Sequence, residues 1–137
     1  MFDGNFHLYQ SNGLDVMVNV APISSGGPFK GKAKTTFTTF FGGTETLEVE
    51  FEGFWNGHHH TSFLIDWNKS TSKFARFYPY ANVCRYMGYL SELQHPVPEV
   101  THTLGGGESQ SAWCGQLVDL ANHHNQALWY ARGPVVE

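Results

Sequence analysis

The chain has 137 residues, a formal net charge of −4, and equal shares of aromatic and charged residues, 15% each. That length suits one domain, 1–137, with one core. The negative charge argues against a nucleic-acid partner, which needs a basic face, and no apolar run reaches the roughly 18 residues of a membrane span.

The charged share is well below the usual ~25%, so ring surface takes the place of ionic surface. Residues 1–10 are too polar for a secretory leader and read as a strand, so a cytoplasmic location is expected. Cys84 and Cys114 are too few for a disulfide scaffold. Two buried free thiols are the expected state, with one bridge between them as the alternative.

Residues 4–10 are the first strand, closed by a turn at Ser11-Asn12-Gly13. Leu14, Val16, Val18 and Val20 then alternate with Asp15, Met17 and Asn19, which is a strand with one side in a core. Residues 21–28 carry two prolines, two glycines and two serines and read as a loop.

Strands follow at 29–40 and 45–55. Lys30, Lys32 and Lys34 alternate with Gly31, Ala33 and Thr35, and Glu48, Glu50 and Glu52 alternate with Leu47, Val49 and Phe51. With Phe41-Gly42-Gly43-Thr44 between them, the two runs form a hairpin. A two-residue Gly-Gly loop would pair Lys34 with Phe51 and split the faces. A three-residue loop with a left-handed glycine pairs Lys34 with Glu50 and Lys32 with Glu52, or Lys34 with Glu52, and puts Phe37 beside Leu47 or Val49. The three-residue loop is expected, with a charged wet face whose glutamates offset the lysines and an apolar dry face.

Asn56-Gly57 is a turn dipeptide. In the next strand Thr61, Phe63, Ile65 and Trp67 share one face, and 68–72 is turn-like. Phe74, Arg76, Tyr78 and Tyr80 share a face of a further strand, with Pro79 pointing to an edge or bulge. Residues 83–91 set Cys84, Tyr86 and Gly88 opposite Arg85, Met87 and Tyr89. Residues 94–98 form a proline-punctuated connection, and Gly105-Gly106-Gly107 a loop at a barrel mouth. Over 109–123 two readings stay open. Trp113, Leu117 and Leu120 fit a helical stripe capped by Ser109 or Ser111, so a short helix near 109–121 is one. A strand at 116–121 turning back through 122–125 is the other. Residues 128–132 read as the terminal strand.

Eight to ten strands joined mostly by short loops make an all-β antiparallel meander. The expected architecture is a closed antiparallel barrel of about eight strands, which removes exposed edges, with a sandwich as the competing solution.

Gly4-Asn5-Phe6 heads the first strand and Arg132 sits near the end of the last. This resembles the calycins (lipocalins, fatty-acid-binding proteins, avidins), in which a Gly-x-aromatic opens the barrel and a basic residue of the last strand packs over that ring. Phe29-Lys30-Gly31-Lys32, Phe51-Glu52-Gly53 and the run from Thr61 to Trp67 resemble avidins in outline. The tryptophans that line an avidin biotin site have no counterpart here, nor has that family's closing motif. The resemblance therefore implies the barrel and not biotin.

The polar-tipped rings Tyr78, Tyr80, Tyr86, Tyr89, Trp129 and Tyr130 point to a cavity, because a purely structural core uses aliphatic residues with no polar tip to satisfy. Arg76 lies in register with rings, where a guanidinium binds a carboxylate or stacks, or else stands on an outer edge. His58, His59 and His60 offer at most two imidazoles on one face, short of a metal site without a third ligand, and no metal or other cofactor is expected. Asp66 is a candidate general base if it faces inward and an ordinary surface residue if Trp67 does.

The favoured reading is binding of a small, largely apolar or aromatic molecule inside the barrel, lined by Trp55, Phe63, Trp67 and Tyr86 and oriented by Tyr80, His60 and Arg76. One alternative is a cofactor-independent isomerase or cyclase acting on a hydrophobic natural product in the same cavity, with Asp66, His60 or Asp119 as acid or base. A second is a carbohydrate-binding β-sandwich. Self-association into a homo-oligomer is left open.

Overall fold

The computed structural model describes residues 4–21, 25–39, 42–72, 83–90, 113–122, 124 and 126–132. They contain eight strands: β1 (Gly4–Gln10), β2 (Asp15–Val20), β3 (Gly27–Thr38), β4 (Thr44–Trp55), β5 (His60–Asp66), β6 (Val83–Leu90), β7 (Trp113–Asp119) and β8 (Gln126–Arg132). Each pairs antiparallel with its sequence neighbour, and β8 returns to pair with β1, so the meander closes into a barrel. The strand expected at 74–80 lies outside the described residues.

Period-two patterning sets which side chains enter the barrel. In β2 the burial alternates strictly, with Val16, Val18 and Val20 inside and Asp15, Met17 and Asn19 outside. In β5, Thr61, Phe63 and Ile65 are buried while Ser62 and Leu64 are exposed. Each fully buried large apolar side chain contributes about 1.5–3 kcal/mol relative to exposure, so a one-residue slip in any strand would be severely opposed.

Lys30 faces Glu52, Lys32 faces Glu50 and Lys34 faces Glu48, all on the exposed outer face. Lysines meet glutamates as expected, but the register differs by two residues from the expected pairing of Lys34 with Glu50 and by four from that with Glu52. The loop supplies the reason. Thr39 N–H donates to Gly43 C=O at 2.7 Å, Gly42 N–H donates to Thr39 C=O at 2.9 Å, and Gly42 has φ 84°. Thr39 and Gly43 close the ladder with three residues between them in the sequence, and the left-handed glycine is the one next to Gly43. This loop type places its left-handed position third, so the hairpin centres on 41. Phe37 consequently faces Glu45 and has Leu47 only as a diagonal neighbour on the inner face.

Residues 113–119 form a strand bonded on both sides, to β6 and to β8. Trp113, Leu117 and Asp119 are buried at every second or fourth position, so two ladders override the local helical stripe. The only helical element among the described residues is a 3₁₀ turn, Trp67–Lys69.

The two cysteines are not bridged to each other and are buried on different faces. Cys84 belongs to the interior core, whereas Cys114 packs with Tyr130, Tyr9 and Leu128 in a small second cluster. Arg132 pairs with His7 in the β1–β8 ladder. Phe6 is buried, and the expected packing of Arg132 over it lies outside the described residues.

Candidate ligand-binding interior

Rings from five strands meet in the middle of the barrel. Phe63 and Tyr86 are direct cross-strand partners on β5 and β6 and stack at 4.8 Å with their planes 7° apart. Trp129 of β8 presents itself edge-on to both, at 5.9 Å from each. Phe51 of β4 lies 5.4 Å from Phe63, and Phe29 of β3 lies 6.5 Å from Phe51 and from Phe63. Edge-on and offset contacts are the preferred aromatic geometries.

Glycines make room for these rings. Gly31 stands opposite Phe51 across β3 and β4, and a methyl group there would come within 2.6 Å of the Phe51 ring. Gly53 stands opposite Phe29 on one side and Phe63 on the other; an added Cβ would lie 2.5 Å from Phe29 Cζ and 2.6 Å from Phe63 Cβ. Trp129 covers Gly88 in the same way, 2.6 Å from an added Cβ. Alternation of small and large residues is how a small barrel fits its interior.

Five polar groups share this interior. The Tyr86 hydroxyl donates to Gln10 Oε1, and Gln10 Nε2 donates to Asn12 Oδ1 at 3.2 Å. Thr35 Oγ1 donates to Asp15 C=O, and Thr61 Oγ1 donates to Phe54 C=O. Asp119 is wholly buried, its Oδ1 accepting from the N–H groups of Ala121 and Asn122 at 2.9 and 3.2 Å. It faces Cys84 across β6 and β7. Burial, then the charges of Asp119 and Asp66, push the Cys84 thiol from 9.0 up to about 12.

Of the residues expected to line a cavity, Phe63 and Tyr86 are in contact, and Trp55 and Trp67 are buried near opposite ends of β5. The Trp55 indole donates to His58 C=O at 3.1 Å. His60 is exposed, out of phase with Thr61 and Phe63. Its N–H and that of His58 donate to Asn56 Oδ1, so the histidine run is organised as the Asn56-Gly57 turn. Asp66 is half-buried and caps the 3₁₀ turn by accepting from Asn68 N–H at 3.0 Å, while Trp67 is buried, which is the ordinary arrangement of the two weighed above. Arg76, Tyr78 and Tyr80 lie outside the described residues.

Sequence reasoning placed Phe51 on a dry face but not in the lining, left Trp129 out of the lining as well, and missed Gln10 and Phe29. The glycines set against aromatic rings are the signal that finds the three rings; Gln10 has no such signal. A half-open trough of about 820 Å³ lies among Lys30, Lys32, Glu50, Glu52, Asp66 and Lys69, and touches the ring cluster only at Phe51. It sits where β4 and β5 part, since their ladder joins only Glu52–Trp55 to Thr61–Leu64.

Comparison of the chain with family models, with curated proteins and with solved structures gives no match.

Proposed function

We propose that this barrel binds a small, largely apolar or aromatic molecule against its interior rings, in the manner of a calycin. The observation that carries the reading is the buried cluster of Phe51, Phe63, Tyr86 and Trp129, which includes a phenol and an indole where a purely structural core would use aliphatic side chains. An eight-stranded barrel is wide enough either to be filled by its own side chains or to hold one small ligand. In the proposed site Phe63, Tyr86, Trp55 and Trp67 supply the walls, and the Tyr86–Gln10 pair supplies the polar group that orients the ligand. Entry runs through the trough beside Phe51, where the wall between β4 and β5 has no ladder. Arg76 and Tyr80 remain part of the proposed lining, and His60, being exposed, does not.

Titration with a neutral apolar fluorophore such as N-phenyl-1-naphthylamine tests this. Saturable one-to-one binding that weakens about tenfold in Tyr86→Phe or Phe51→Ala supports the site; binding insensitive to both places the molecule elsewhere.

A further inference from the structure

The outer face of β4, β5 and β6 carries four of the five large exposed apolar side chains of the described residues, the fifth being Met17 on β2. Phe54 is 51% exposed, Met87 43%, Leu64 39% and Tyr89 37%. The registers order them into rows. Glu52, Leu64 and Arg85 lie side by side across the three strands, and Phe54, Ser62 and Met87 form the next row. Between the rows is a shallow groove of about 400 Å³. The two charges stand on opposite flanks of the patch, Glu52 on β4 and Arg85 on β6. Lys30 faces Glu52 on its other side, across β3. Among the described residues neither Glu52 nor Arg85 is within 4.0 Å of an opposite charge.

We infer that this face is a self-association surface whose occupant is a second copy of the same chain, related by a two-fold axis parallel to β5. That operation leaves height along the strands unchanged and exchanges the β4 side with the β6 side. Glu52 of one copy then meets Arg85 of the other, and Arg85 meets Glu52, while Phe54 meets Met87 and Leu64 meets its own equivalent. A two-fold interface must be complementary to itself, and this patch is so in both charge and shape class. A two-fold perpendicular to the strands would set Glu52 against Phe54, which excludes it. An apolar centre with charged flanks is the usual anatomy of a specific contact.

Sedimentation equilibrium of the full chain over a concentration series, with circular dichroism to verify folding, tests the inference. The wild type is expected to associate reversibly to a dimer. Glu52→Arg and Arg85→Glu alone each weaken association about tenfold, and the double reversal restores it to within about threefold, because opposite charges again face each other. Leu64→Glu at the centre reduces dimer further than either. A wild type that stays monomeric throughout overturns the inference, as does a dimer in which the two reversals add instead of cancelling. The reversals keep the test decisive even if Leu64→Glu does not fold.

Discussion

The Tyr86 hydroxyl on β6 donates a hydrogen bond to the Gln10 side chain on β1, joining two strands that are not neighbours in the barrel wall. The bond crosses the interior and places the one phenol that the ring cluster has among the described residues. Tyr86→Phe keeps the ring stack with Phe63 but leaves the Gln10 carbonyl oxygen buried without its donor. Such a loss costs about 1–3 kcal/mol. Gln10→Leu combined with Tyr86→Phe is expected to recover part of it, since removing both partners spares the desolvated acceptor. Urea unfolding of the two single variants and the double measures that coupling.

Gly53 lies between Phe29 and Phe63 with no room for a methyl group, whereas Gly43 has only a hydroxyl 3.7 Å from an added Cβ. Gly53→Ala should therefore lower stability by about 1–3 kcal/mol through displaced rings. Gly43→Ala is expected to fall within about 0.5 kcal/mol of wild type. Thermal melts of both variants compare the interior with the surface directly.

Cys84 gives a pH dependence of known sign. The folded thiol keeps its proton up to about pH 12, while the unfolded thiol loses it near 9.0. Between those values the unfolded state binds fewer protons than the folded state, so stability falls as pH rises through this window and is unaffected below it. Cys84→Ala should flatten that part of the profile. Chemical unfolding followed from pH 8 to 11 checks the slope, and slow reaction with a thiol reagent at neutral pH checks the burial.

Asp119 and Asp66 both accept backbone N–H groups, but only Asp119 is wholly buried. Asp119→Ala strands two turn donors in the protein and should cost about 1–3 kcal/mol. Asp66→Ala removes a half-exposed cap and should cost about 0.5–2 kcal/mol, at the lower end. Equal losses in urea unfolding would contradict the difference in burial.

Much of the fold was legible because period-two alternation is a direct consequence of strand geometry. Val16–Val18–Val20 and Thr61–Phe63–Ile65 announce both the strand and its inner face. The hairpin showed what pattern alone cannot settle. Alternation requires lysines opposite glutamates, yet registers two residues apart satisfy it equally. The choice fell to the position of one left-handed glycine, Gly42, within the loop. Residues 113–119 carried helical and strand periodicities together, and the ladders on either side decided between them. The site was harder to read. Phe63 and Tyr86 were identified from face-sharing within single strands, but Gln10 and Trp129 join them only through barrel closure. That is a long-range relationship with no local trace beyond the glycines opposite the rings.

The central claim is that the ring-lined interior accepts a small apolar molecule, and calorimetric titration with N-phenyl-1-naphthylamine tests it most directly. The wild type and Met87→Glu, altered on the outer face away from the trough, should bind one molecule alike, while Phe51→Ala should bind about tenfold more weakly. Absence of saturable binding, or binding abolished by Met87→Glu and untouched by Phe51→Ala, would contradict an interior site.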